Sequence, residues 1–239
     1  MKKNPIDSYK QEVNNKLRKK PSEIIRKSLN HWDSTIDRLL REEDLGPTER
    51  PHYLTFAIYE AVAIIFSKWE FLGGLYYGKQ NGTGGKDFKR FVEKFSEFKE
   101  VNKHIKLGDV YSMFRSNTFH SDAPAPYFVK NENRLIRGLV LVKQPGFGIK
   151  EHEGSKQEEI FLYNKDYLTI YCSGLKKDFK SSVERYIKYL EENRGEDRED
   201  LTAEQKNKTP EVRFRQGYWY CFMPKGMNRG EWNSACKFQ

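Results

Sequence analysis

Two long segments with apolar residues at helical spacing constrain this chain more than any other feature. The first begins at Pro21, carries an apolar residue every three or four positions, and is ended by Gly46 and Pro47. The second runs from a plausible N-cap at Thr48 to about Tyr77 and is apolar on most of its surface. Because such a helix must be buried, we expect a mainly α fold built around it.

Glycines cluster where the second segment ends. The run from Gly73 to Gly85 predicts a flexible connection. Gly85-Lys86 resembles the end of a phosphate-binding loop, but Gln80 stands where that motif has its first glycine and no strand precedes it. The sequence therefore predicts a plain loop and then a helix over about 86–99 with a stripe of phenylalanines.

The pattern changes to short β-rich runs after residue 134. Runs rich in Val, Ile and Tyr lie between 135 and 172, separated by turn residues. They predict a small antiparallel β insertion at about 134–172, packed beside the helices. Ser173 is expected to cap a further helix from Gly174 to about Asn193.

The C-terminal part divides into two compositions. Residues 195–211 are dominated by charged side chains and predict a solvated linker. Residues 212–239 interleave basic and aromatic side chains. That composition fits a surface on which the bases of single-stranded nucleic acid stack, or a β-strand whose aromatic residues cover the core. The expected organisation is a basic N-terminal segment at 1–21, a helical domain at 22–194, the linker, and this C-terminal extension.

Charge and cysteine content narrow the class of protein. A net charge of +9 favours a polyanionic partner, because Lys and Arg that neutralise phosphates release counterions. Cys172, Cys221 and Cys236 are odd in number and lack close paired spacing, which indicates neither a disulfide framework nor a zinc ribbon. With no apolar signal core and no stretch of membrane-spanning length, we expect a cytoplasmic protein without a membrane partner.

A cation, Arg115, and a titratable imidazole, His120, lie at the end of an apolar segment in the middle of the chain. Arg115 and His120 have four residues between them, and Ser121 and Pro124 end the segment soon after. A guanidinium grips phosphate, and an imidazole moves protons near neutral pH, so the pair is suited to cleaving RNA without a metal. Arg26 and His31 share the spacing but lie in the middle of an amphipathic helix.

The run Phe114-Arg-Ser-Asn-Thr-Phe-His120 resembles the signature of the HEPN superfamily. That signature is an Arg, four to six residues of which the first is usually polar and commonly Asn, and then a His. Ser116 takes the polar position here and Asn117 follows it, so both are expected to support the site. The resemblance implies a HEPN-like helical bundle over 22–194, with the β insertion and the C-terminal extension added to it.

The resemblance also implies an activity. Many HEPN proteins are metal-independent endoribonucleases of toxin, phage-defence and CRISPR systems, and they dimerise so that their two motifs face each other. By this resemblance Arg115 would hold the phosphate and His120 would move the proton, with no metal and no cofactor. The partners would be RNA and a second copy of the chain, with an antitoxin or defence-system protein as a further candidate. The alternative is a non-catalytic HEPN-like module that binds RNA, a nucleotide or a partner protein.

Helix geometry limits how the pair can act. Five residues along an ideal helix turn by about 500°, which leaves Arg115 and His120 about 140° apart. Either the helix is distorted at Ser116-Asn117, or the site is completed across a two-fold axis. Tyr111 lies one turn before Arg115, and its spacing fits two roles. It could orient a phosphate, or it could be a packing residue.

A metal-dependent nuclease with paired carboxylates is a further alternative. Its candidate carboxylates lie in two charge runs that have no histidine at ligand spacing, and such runs are normally solvated faces. They are Glu42, Glu43 and Asp44, and Asp197, Glu199 and Asp200.

Overall fold

The helices account for most of the described residues. The computed structural model describes residues 5–41, 51–78, 84–118, 127–129, 134–136, 138–142, 160–163, 167–194 and 201–233. Its α-helices are α1 (Pro5–Leu17), α2 (Pro21–Arg41), α3 (Pro51–Tyr77), α4 (Gly85–Phe95), α5 (Leu107–Thr118), α6 (Cys172–Glu192), α7 (Ala203–Lys206), α8 (Pro210–Cys221) and α9 (Arg229–Asn233), and a 3-10 helix spans Glu97–Lys103. The mainly α prediction is confirmed.

Five short strands form two small sheets. They are β1 (Tyr127–Val129), β2 (Arg134–Ile136), β3 (Gly138–Val142), β4 (Phe161–Tyr163) and β5 (Tyr167–Tyr171). β1 and β2 pair antiparallel, as expected for the insertion. The second sheet, in the order β3-β5-β4, differs from the expectation because β3 and β5 are parallel. A parallel pair needs a connection longer than a hairpin turn. The sequence separation between Val142 at the end of β3 and Tyr167 at the start of β5 is long enough for one.

Helix α3 is the buried centre that the sequence predicts. Phe66 and Trp69 on this helix are almost completely buried. Their rings contact aromatic rings from four other elements, with the Phe66–Phe114 centroids 5.0 Å apart. The indole of Trp69 also donates a 2.9 Å hydrogen bond to Ser182 on α6. The surrounding rings are Phe88 of α4, Phe98 of the 3-10 helix, Phe114 of α5 and Phe179 of α6.

Gly73 lies inside α3 rather than in a flexible connection. A Cβ atom placed on Gly73 would lie 2.0 Å from the carbonyl oxygen of Asp87 on α4. The residue is glycine because the backbones of α3 and α4 meet at this point. The predicted loop is therefore wrong for Gly73 and Gly74, whereas residues 79–83 lie outside the described chain.

Helix α4 stops at Phe95, several residues before the predicted end. The cause is Asp178 of α6, a buried carboxylate that reaches across to this point. It accepts hydrogen bonds from the Ser96 hydroxyl and from the backbone N–H groups of Glu97 and Phe98. These contacts start the 3-10 helix and fix α6 against it.

Helix α6 begins at Cys172, directly after β5, so Ser173 is not its N-cap as predicted. Its other end is fixed by Asn193, which has a left-handed backbone with φ of 46°. The Asn193 side chain accepts a 3.0 Å hydrogen bond from the backbone N–H of Glu211. The end of α6 is thereby tied to the start of α8.

The segment 201–211 is folded, although the sequence predicts a linker there. Leu201 is buried, and Thr202 and Gln205 form a reciprocal capping box at the start of α7. The Gln205 amide donates a 2.7 Å hydrogen bond to the carbonyl oxygen of Tyr77 at the end of α3. The linker prediction, which rested on charged composition alone, is therefore wrong for residues 201–211. Residues 195–200 lie outside the described chain.

The two ends of the chain build a second core. Val13 and Leu17 of α1 pack with Trp219 of α8 and Trp232 of α9, and all four are buried. The two indole rings stack with centroids 4.6 Å apart. α8 is a helix capped by Thr209, so the strand interpretation of residues 212–239 is wrong for this part. Its aromatic residues do cover the core, but they do so at helical spacing.

No helix in the described ranges combines the length and the apolar composition that a membrane span requires.

Candidate active site

Helix α5 is held along most of its length by the main core. It packs against α3, α4 and the 3-10 helix. Its start is fixed by the Asn102 side chain, which accepts a 3.2 Å hydrogen bond from the backbone N–H of Leu107. Val110, Met113 and Phe114 are buried, which explains the apolar pattern that precedes the motif.

The motif residues occupy the end of this helix. Arg115, Ser116 and Asn117 lie on the last turn of α5, which ends at Thr118. His120 lies two residues further on, outside the described chain. The helix is continuous at residues 116 and 117, so the distortion considered from the sequence is not found there. A cation on the last turn is favoured by the partial negative charge of a helix C-terminus.

A buried polar pair lies one turn before Arg115. The Tyr111 hydroxyl donates a hydrogen bond to the Glu70 carboxylate on α3. Both side chains are less than a tenth exposed. A Cβ atom on Gly85 would lie 3.0 Å from the Tyr111 ring, so the first residue of α4 closes over it. Tyr111 thus acts as a packing residue that ties α5 to α3.

Glu70 is the residue at this site that the sequence did not reveal. It lies 41 positions before Tyr111, and only the crossing of α3 and α5 brings the two together. A glutamate on a largely apolar helix was the available signal, because a buried carboxylate needs a polar partner.

Phe114 is held from the other side by Tyr59. The two rings stack with centroids 6.5 Å apart. Burial raises the pKa of the Tyr59 phenol, and the nearby Cys172 thiol adds to the effect. The raised pKa favours the neutral form of the Tyr59 phenol, so this side chain packs beside Phe114 without a charge of its own.

The second Arg–His pair has a structural role. Arg26 lies in the middle of α2, where its guanidinium donates a 2.9 Å hydrogen bond to Glu191 and lies 3.8 Å from Glu184. This hydrogen bond, which the Glu191 carboxylate accepts, raises the pKa of the Arg26 guanidinium. His31 is an exposed residue further along α2. The pair belongs to the surface between α2 and α6.

The described ranges contain no group of three or more His, Cys, Asp or Glu side chains that could hold a metal ion. The carboxylates considered for a metal-dependent nuclease, at 42–44 and 197–200, lie outside those ranges. Neither Cys172 nor Cys221 takes part in a disulfide. No family model, curated protein or solved structure matches this chain.

We predict that Tyr111→Phe destabilises the protein. The change leaves the buried Glu70 carboxylate without this donor, which costs on the order of 1–3 kcal/mol of unfolding free energy. Ser112→Ala is the matched control, because it removes a hydroxyl from the neighbouring exposed residue and changes stability by less than about 0.5 kcal/mol. Urea denaturation followed by circular dichroism measures both, and equal unfolding free energies would contradict the anchoring role of Tyr111.

Proposed function

We propose that this chain is a metal-independent endoribonuclease of HEPN type. The observation that carries the proposal is the position of Arg115 on the last turn of α5, with His120 just beyond the helix end at Thr118. A helix anchored in the core carries the cation on its final turn, and the histidine follows two residues after Thr118 in the sequence. The net charge of +9 supports a polyanionic substrate.

The chemistry follows from the two side chains. Arg115 binds the phosphate and stabilises the negative charge that develops on it. His120 removes the proton of the RNA 2'-hydroxyl as that oxygen attacks phosphorus, or donates a proton to the leaving 5'-oxygen. The P–O5' bond breaks as the new P–O2' bond forms. The products are a 2',3'-cyclic phosphate and a 5'-hydroxyl end.

The proposal includes a homodimer and a defence or toxin setting in the cytoplasm, with an antitoxin or defence-system protein as a possible regulator. Residues 107–118 form one continuous helix. Successive residues of a regular helix are rotated by about 100°, so the last residues of α5 face different directions. A second copy related by a two-fold axis supplies an Arg and a His from the facing motif. Ser116 and Asn117, between the two catalytic residues, support the site.

Cleavage without metal is the decisive test of the proposed function. Purified protein is incubated with labelled single-stranded RNA in EDTA, alongside the variants Arg115→Ala and His120→Ala. We expect cleavage by the native chain and a loss of at least about 100-fold in each variant, the usual scale for removing an acid–base group.

The Arg26→Ala/His31→Ala variant is the matched control, since it removes the same residue types at the same spacing from α2. It should cleave as the native chain does, because its ion pairs lie on the exposed surface. RNA binding without cleavage would contradict the nuclease and favour the non-catalytic HEPN-like module. Activity that appears only with added Mg²⁺ would favour the metal-dependent alternative.

Dimerisation has its own prediction. Sedimentation should give twice the chain mass of 28.3 kDa, and the cleavage rate per chain should fall on dilution below the dimer dissociation constant. A monomer whose rate per chain is independent of concentration would contradict the shared site.

A further inference from the structure

Two aromatic residues of α8 and the residue that caps its C-terminus form a row that leads from the core to the surface. Phe214, Tyr218 and Phe222 follow one another at intervals of four residues. The ring centroids are 5.6 Å apart for the first pair and 4.7 Å for the second. Phe214 is buried, whereas Tyr218 and Phe222 are partly exposed. The accessible parts of partly exposed aromatic rings are a surface on which unpaired bases stack.

Lysines from the other end of the chain lie beside the outer ring. The Lys16 ammonium is 5.8 Å from the centroid of the Phe222 ring, and the Lys16 side chain is about half exposed although it pairs with Glu12. The backbone N–H of Lys19 donates to the carbonyl oxygen of Lys16, which keeps Lys19 within one turn of it. Lys19 and Lys20 are both exposed.

We use the name terminal platform for residues 5–20, 218 and 222–233. It comprises α1, the turn after α1, Tyr218, and the segment that includes Phe222 and α9. The ranges 5–20 and 222–233 contain seven Lys or Arg residues against three Asp or Glu residues. The second core of buried Trp219 and Trp232 holds the pieces together. The exposed cations of the platform are Lys16, Arg18, Lys19, Lys20, Lys225 and Arg229.

We infer that the terminal platform binds single-stranded RNA, with bases stacked on Tyr218 and Phe222 and phosphates facing Lys16, Lys19 and Lys20. The combination of partly exposed rings and adjacent cations matches the base and the phosphate of a nucleotide, whereas either alone would not. Single strands are favoured because the bases of a duplex are already stacked on one another. The choice of RNA over other polyanions rests on the proposed function. The platform adds an RNA-binding surface to the motif on α5.

Binding is measured by fluorescence anisotropy with the full-length chain and a labelled 2'-O-methyl RNA, which lacks the hydroxyl needed for cleavage. Titrations at several salt concentrations compare the native chain with Lys19→Glu/Lys20→Glu and with Phe222→Leu. Lys177→Glu/Lys188→Glu is the matched control, because it makes the same change of charge at two exposed positions of α6. Thermal melts by circular dichroism check that each variant is folded.

We expect Lys19→Glu/Lys20→Glu to raise the dissociation constant at least about tenfold and to reduce the dependence of log Kd on log salt by roughly two. Phe222→Leu should raise it about tenfold with no change in that dependence, because it removes a stacking face and no charge. The α6 control should stay within about threefold of the native chain. Equal losses in the Lys19/Lys20 variant and the control, or native binding by Phe222→Leu, would overturn the inference.

The outcomes separate this inference from the proposed function. If the native chain does not cleave RNA but the platform variants lose binding, the nuclease proposal fails and the platform stands. If the native chain cleaves RNA and the platform variants bind the 2'-O-methyl RNA like the control, the platform fails and the nuclease stands.

Discussion

The aromatic cluster around Trp69 is the interaction on which the rest of the structure depends. Trp69 and Phe66 on α3 contact rings from α4, the 3-10 helix, α5 and α6, so one helix turn organises most of the main core. Truncating a buried residue of this size to alanine typically costs about 3–5 kcal/mol, a large share of the stability of a single domain. Through Phe114 the same cluster holds α5, and through α5 it positions Arg115.

The motif helix carries Arg115 on a last turn that follows a rigid base. Val110, Phe114 and the Tyr111–Glu70 hydrogen bond attach α5 to the core over its first two turns. Arg115 follows on the last turn. In the proposed mechanism, a guanidinium on a fixed backbone would lose less conformational freedom on binding a phosphate, and more of its interaction energy would be left to stabilise the transition state.

Local periodicity predicted the helices well, because apolar spacing at 3.6 residues per turn is itself the cause of amphipathic packing. The errors arose where distant residues decide the local structure. Asp178 ends α4 from 82 residues away, Gly73 is required by the backbone of α4, and the charged segment at 201–211 folds because Gln205 finds the end of α3. At the site, the motif indicated the position of Arg115 in advance. Glu70 required the crossing of two helices that no local pattern encodes.

The central claim is that the chain breaks RNA by attack of the 2'-hydroxyl, and the chemical ends of the fragments test it most directly. Mass spectrometry of fragments released from a defined single-stranded RNA in EDTA reads both ends at once. The account predicts a 2',3'-cyclic phosphate on one fragment and a 5'-hydroxyl on the next. Fragments with a 3'-hydroxyl and a 5'-phosphate would contradict it, because they form when water attacks phosphorus and the P–O3' bond breaks.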